Sequence, residues 1–280
     1  MYGKYFKQLR KKQDISLKDA AANVISASQL SRWENGRSNI SFETVINLLD
    51  NIHIRANEFI MYCNLNPTNS LTHKIFNAYQ RKDITELKHL TLKQIKQSKT
   101  SKNRFDLFLA VAAANFYFDL TNIRLISKFD ILKVKSILSS TSYWDYYYIS
   151  AWGNTLAFYD PTFNFKIASR ILTILKNQTT LEFGTEYYTW CTILNALIRI
   201  IPENIELAKK LSLKINKVSI PNSFLSIQLK KRFMDIYIKY QLHESDKEEL
   251  NKFLYSLENL QLIDLKNELE YFLSNTKMRN

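Results

Sequence analysis

Residues 25 to 36 read ISASQLSRWENG, and their types suit hydrogen-bond recognition rather than bond-breaking chemistry. Leu30 and Trp33 stand three apart and would face a core, while Ala27, Ser28, Gln29 and Arg32 would face outward. Small side chains at the start of such a helix let it approach a groove closely. Gln29 and Arg32 carry donors matched to base edges in the DNA major groove, Arg32 above all to guanine. Ser26 and Ser28 offer hydroxyls for phosphate, and Arg37, just past Asn35-Gly36, is placed for the same contact. Lys7, Lys11, Lys12 and Lys18 add candidate backbone contacts, each of which also reads as a plain solvated lysine. The bland alternative is a short capped helix. It explains Ser26 as an N-cap and Asn35-Gly36 as a stop, but not the helix and turn that precede them.

Other chemistries find little support. His53, His73, His89 and His243 are scattered, with no metal-ligand spacing among them and the two cysteines, so no metal is expected. Four glycines in 280 residues leave no phosphate-cradling loop. Asp145, Asp160 and Glu186 stand singly among aromatics and read as helix caps rather than catalytic pairs. The chain is expected to be no enzyme and to need no cofactor.

The elements that would position the recognition residues follow from periodicity. A first helix over about Tyr2–Lys12 puts Tyr5, Phe6 and Leu9 on one face. Ser16, with Asp19 three residues on, opens a second helix in LKDAAANV. Ser26 caps the third, Ser41 caps FETVINLLDNI, and a fifth covers about Ala56–Tyr62. NLNPTNS, residues 64–70, is the natural break, giving domains 1–65 and 66–280. Beyond it come long helical segments. FDLFLAVAAANFYFDL carries Phe105, Phe108, Leu109, Ala112 and Phe116 on one stripe, and further helices are expected near 143–159, 162–176, 183–200, 203–217, 222–241, 245–257 and 260–275. Pro161, Pro202 and Pro221 sit where one helix should give way to the next, as first-turn prolines do. With only four Gly and four Pro, the expected class is all-α: an N-terminal helix-turn-helix followed by an α-solenoid of degenerate helical hairpins.

The charge agrees with a polyanionic partner. Lys and Arg total 39 against 26 acids, a net +13. Residues 74 to 104 hold nine of these bases against two acids, a solvated helix face with a further role in phosphate contact left open. Two distant cysteines suit a reducing cytosol, the charged N-terminus is unlike a signal peptide, and no apolar run would span a membrane, so a cytoplasmic protein is expected.

Residues 2 to 62 resemble the lambda-repressor type of helix-turn-helix. More narrowly, SQLSRWENGRSNISF followed by LLDNIHI and EF resembles the Rgg/MutR/GadR regulators of Firmicutes. One departure is the turn NVIS, one residue longer than usual, with Val24 where glycine is customary. The resemblance implies a homodimer on an inverted-repeat operator in double-stranded DNA. It implies a C-terminal domain of tetratricopeptide type that binds a short signalling peptide. It also implies that Arg10 pairs with Glu34, the acid ending the recognition helix, as a brace, with phosphate contact the alternative for Arg10.

For the peptide, Asn154 and Asn195 read as mid-helix residues without a capping role, and Arg170 and Arg199 as cations for a carboxylate. The segment SYWDYYYISAWGNTLAFYD offers rigid aromatic area, equally suited to packing between helices. Cys63, at the end of the first domain, is a candidate for an intermolecular disulfide, with a buried free thiol the alternative. The function expected is a DNA-binding transcriptional regulator controlled by a peptide. The alternatives are a regulator whose repeats bind a protein, and a repeat adaptor with vestigial DNA binding.

Overall fold

The structure, a computed structural model, describes residues 2–63, 71–177 and 182–277, with side chains as far as Ser274. By backbone contact it divides into two compact units, Met1–Lys74 and Ile75–Asn280. The boundary expected at 65/66 falls in 64–70, outside the described residues.

The first unit holds α1 (Gly3–Lys12), α2 (Leu17–Ala21), α3 (Ala27–Glu34), α4 (Phe42–Asn51) and α5 (Ala56–Tyr62). The starts of α2, α3 and α4 are fixed by Ser16, Ser26 and Ser41, whose hydroxyls accept the backbone N–H three residues on. Phe6, Leu30, Leu48 and Ile52 are fully enclosed, with Trp33, Leu49 and Phe59 nearly so. Gly3 permits the tightest approach: a Cβ there would lie 2.1 Å from the Trp33 carbonyl oxygen. Only a residue without a side chain lets the start of α1 lie on the end of α3.

The second unit continues with α6 (Leu71–Gln80), which begins before the division, α7 (Ile84–Thr100), α8 (Arg104–Thr121), α9 (Lys128–Ser140) and α10 (Tyr146–Gly153). A short 3-10 turn, Leu156–Phe158, precedes α11 (Pro161–Asn177), α12 (Phe183–Ile200), α13 (Ile205–Ile215), α14 (Leu225–Gln241), α15 (Lys247–Asn259) and α16 (Ile263–Lys277). Most helices pack on the next in sequence. They also pack on the next but one, as in α8 with α10, α10 with α12, α11 with α13, α12 with α14 and α14 with α16. That double neighbour relation is the packing of a helical solenoid. A continuous core runs through it, with Trp152, Trp190 and Phe233 fully buried.

Three expectations need correction. The single helix near 143–159 is broken at Gly153, where a Cβ would lie 2.9 Å from Thr192 Cγ2, so α12 crosses where a side chain would stand. Helix α9 adds an element to those expected from the sequence, with Ser127 capping it through the Asp130 amide. Pro161 is the first residue of α11, but Pro202 and Pro221 lie in the turns ahead of α13 and α14, not in their first turns.

Candidate nucleic-acid interface and the face of the helical repeats

The hinge of the first unit is the turn between α2 and α3. Its left-handed residue is Asn23, with φ 61°, a conformation Asn tolerates better than most residues. Val24 therefore needs no glycine; it packs against the core. Asn51, from α4, donates to the carbonyls of Ala20 at 3.0 Å and Ala22 at 2.9 Å, closing the end of α2 and holding the turn. Nothing local in the sequence marks Asn51 for this role, because an Asn late in a helix gives no sign of partners on another element.

Helix α3 is pinned from below by Leu30 and Trp33, and at its end by a buried ion pair. Arg10 Nε and Nη2 donate to the two Glu34 carboxylate oxygens at 2.8 and 2.9 Å, while Nη1 donates to the Ile15 carbonyl at 2.7 Å. One guanidinium thus ties α1, the α1–α2 turn and α3 together. The hydrogen bonds to Glu34 raise the Arg10 pKa and burial opposes them.

The outward face of α3 differs in detail from the sequence expectation. Ser28 and Arg32 are exposed four residues apart, and Arg37 is exposed beyond Gly36. Gln29 is half-buried, and Ala27 packs partly against the core, so Ala27 supplies closeness rather than a free contact. The Ser26 hydroxyl accepts from the Gln29 amide at 3.1 Å and lies 3.0 Å from Ser28 Oγ, so capping already occupies part of its bonding capacity. Lys7 Nζ donates to Asn35 Oδ1 at 2.7 Å, bracing α1 to the end of α3, and Lys11 is exposed. What remains presented is a compact set of hydroxyl, amide and guanidinium donors on a rigidly held helix, which is the chemistry of groove reading.

For Cys63 the structure fits the alternative, a buried free thiol: it is 6% exposed within the first unit's core, and burial pushes its thiol pKa up.

In the second unit the four expected peptide contacts separate. Asn154 is the C-cap of α10, not mid-helix, and its amide donates to Ser150 Oγ at 3.0 Å. Arg170 donates to the carbonyls of Ser139 at 2.9 Å and Thr141 at 3.2 Å, closing the end of α9. Both side chains have local structural work. Asn195 is mid-helix on α12, but exposed rather than buried in an apolar helix, and Arg199 lies one turn on.

Around that turn the structure gathers residues the sequence did not suggest. Tyr79 on α6 donates to Asp119 of α8 at 2.7 Å, and its ring stacks on Phe116 at 4.7 Å. Burial first, then Asp119, holds the Tyr79 phenol well above its ordinary range, and Arg199 and Tyr271 both act on it electrostatically. Cys191, one turn before Asn195, feels Lys230 of α14 and Glu268 of α16, themselves paired at 2.6 Å. Tyr79 and Asp119 thus join α6 to α8, Lys230 and Glu268 join α14 to α16, and Arg199 of α12 lies close enough to Tyr79 for its charge to be felt there. Asn115, one turn before Asp119, adds a side-chain oxygen buried without a hydrogen-bond partner. No sequence signal flags Tyr79 or Asp119, because the two partners lie far apart along the chain. Among the described residues no cluster of three His, Cys, Asp or Glu could hold a metal, and no helix is long and apolar enough to cross a membrane.

Residues 6–59 match the helix-turn-helix family. Over nearly its whole length the chain shares its fold with solved structures. The SHP pheromone receptor Rgg2 of Streptococcus dysgalactiae matches with a TM-score of 0.78 and 19% identity, covering 99% of this chain and 100% of that one. A transcriptional regulator from Listeria monocytogenes EGD-e, its function marked as provisional, matches at TM-score 0.78 and 15% identity, covering 98% and 96%. PrgX in complex with cCF10 matches at TM-score 0.72 and 15% identity, covering 98% of each chain.

Proposed function

We propose that this protein is a cytoplasmic, homodimeric transcriptional regulator. Its α3 reads an inverted-repeat operator, and its repeat domain binds a short signalling peptide that controls the reading. The observation that carries this is the union on one chain of a braced helix-turn-helix with a helical-repeat body. The same union is shared end to end with a pheromone receptor and with PrgX, a protein solved in complex with cCF10. In this reading Arg32 and Gln29 contact bases, Ser28, Arg37, Lys7 and Lys11 approach phosphates, and Asn195 and Arg199 belong to the peptide site together with Tyr79 and Asp119. An extended peptide needs its amides paired and its charges met, and these residues offer an amide, a phenol and both signs of charge. Dimerisation supplies the second half-site, whose spacing follows the separation of the two recognition helices.

The test begins by selecting operator fragments from random DNA with the full-length protein. Arg32→Ala should weaken the selected operator by about 1–3 kcal/mol and leave random DNA almost unchanged. Arg37→Ala should weaken both alike and flatten the salt dependence. Failure to enrich any sequence, or equal loss on both DNAs for Arg32→Ala, would overturn the base-reading role.

A further inference from the structure

We propose that the outer face of α7 binds the sugar–phosphate backbone of duplex DNA, a second and sequence-independent binding surface carried by the repeat domain itself. The proposal rests on the DNA-binding reading above.

Helix α7 buries Leu87, Leu90, Thr91 and Gln94 against its neighbours. Its other side exposes Lys88, Lys93, Lys96 and Lys99, with Lys102 exposed just beyond its end. At about 100° per residue the four helical lysines fall within an arc of roughly 140°, and at 1.5 Å per residue they span about 16 Å. Among the described residues none of them has a carboxylate within ion-pair distance. The nearby acids are engaged elsewhere. Glu86 pairs with Arg81 at 2.6 Å, Asp83 caps the helix through the Glu86 amide, and Asp106 accepts from Gln94, Gln97 and Ser101. On other helices Lys135, Lys230 and Lys266 each sit within 2.7 Å of a carboxylate.

A row of unmatched ammonium groups repels itself and gains most from a polyanion with closely repeated charge. Duplex DNA offers about one charge per 1.7 Å of axis. The same face fits other polyanionic partners poorly. Membrane surfaces call for apolar anchors, and between Lys88 and Lys99 the one large apolar side chain exposed is Leu92. Single strands call for aromatic platforms, and α7 has no Phe, Tyr or Trp.

The test measures binding of the full chain to a random-sequence 30-base-pair duplex across a salt series, by fluorescence anisotropy. The variant carries Lys88→Gln, Lys93→Gln, Lys96→Gln and Lys99→Gln. A control of equal charge carries Gln at Lys128, Lys133, Lys166 and Lys176, which are exposed on other helices. The slope of log affinity against log salt should become shallower by about 0.9 for each phosphate no longer neutralised. Affinity at low salt should fall at least tenfold, and the control should change less than twofold. The milder pair Lys93→Gln/Lys96→Gln should give about half the slope change, which guards against an effect on folding in the fourfold variant. An unchanged slope overturns the proposal while leaving the helix-turn-helix reading intact. An equal loss in the control overturns it too, assigning the effect to net charge. If the parent does not bind this random duplex at all, the proposal falls, while the helix-turn-helix reading stands or falls on the operator selection. Loss of binding to polyglutamate with an unchanged DNA slope would give this face to an acidic protein instead.

Discussion

Arg10 shows how much one side chain can organise. Its side chain is 7% exposed and that of Glu34 is 1% exposed, so each is a poorly solvated charge that only the other makes tolerable. Arg10→Met should therefore cost about 3–5 kcal/mol, by stranding the Glu34 carboxylate among Leu30 and Trp33. The double variant Arg10→Met/Glu34→Leu should recover most of that loss, because no charge is left behind. Urea titrations of the three proteins decide it, and a double variant no better than the single one would mean that the bond from Arg10 to the Ile15 carbonyl carries the stability instead. Asn195 stands at the other extreme. Exposed and mid-helix, it has little to lose structurally, so Asn195→Ala should move stability by no more than about 0.5 kcal/mol. On the proposed reading the same substitution weakens peptide binding severalfold by calorimetry and leaves DNA affinity of the peptide-free protein unchanged. A fall in melting temperature with intact peptide affinity would return Asn195 to a packing role. The contrast between these two residues marks what a sequence discloses. The Arg10–Glu34 pair was legible through family resemblance, whereas Tyr79 with Asp119 was not, since nothing local to either residue announces a partner forty positions away.

At the scale of elements, helix starts were more legible than helix ends. Ser16, Ser26 and Ser41 were recognisable as caps because capping is a local bond, to an amide three residues on. Breaks that depend on tertiary approach were hidden. Gly153 looks like any helical glycine until α12 is seen to pass over it, and the KFDILKVKSILSS segment of α9 mixes its lysines into the apolar stripe. Helix ends hold a different surprise. With so few glycines, the chain closes many helices on other residues in the left-handed conformation: Asp14, His53, Lys82, His243 and Gln261 all have positive φ. Each forms the paired backbone bonds of a Schellman motif, as when the Lys82 amide donates to Tyr79 and the Asp83 amide to Ala78, both at 2.9 Å. A side chain in that conformation costs about 1–2 kcal/mol, and glycine would relieve it at an entropic cost of about 0.5–1 kcal/mol. Lys82→Gly and Gln261→Gly should therefore each stabilise the protein by roughly 0.5 kcal/mol. Asn23→Gly should gain less, because Asn already tolerates the conformation. Paired denaturation curves test this, and a loss at both Lys82 and Gln261 would show that their side chains contribute packing worth more than the strain.

For the whole molecule the proposed reading raises the question of how a ligand in one unit would govern DNA binding by the other. On the proposed reading a peptide acts only through a difference in its affinity for two states of the protein, so the coupling must run both ways. If peptide tightens operator binding by some factor, saturating operator must tighten peptide binding by the same factor. Typical couplings of about 1–3 kcal/mol make that factor roughly 5–150. Two routes to it differ in their dependence on protein concentration. A peptide that rearranges an existing dimer changes operator affinity equally at every concentration. One that promotes pairing of protomers loses its effect once the protein is already fully paired, because association then has nothing left to gain. Anisotropy with labelled operator, with and without peptide, at protein concentrations below and well above the dimer dissociation constant separates the two. Labelled peptide with and without operator supplies the reciprocal factor. The proposed placing of the peptide beside Tyr79, Asp119, Asn195 and Arg199 favours rearrangement, since a ligand that contacted α6, α8 and α12 together could shift these helices against each other. The expected result is therefore a factor that is the same in both directions and at both concentrations. A factor that vanishes at high concentration would assign control to assembly, and a factor of one throughout, with DNA binding intact, would remove the peptide from control of DNA.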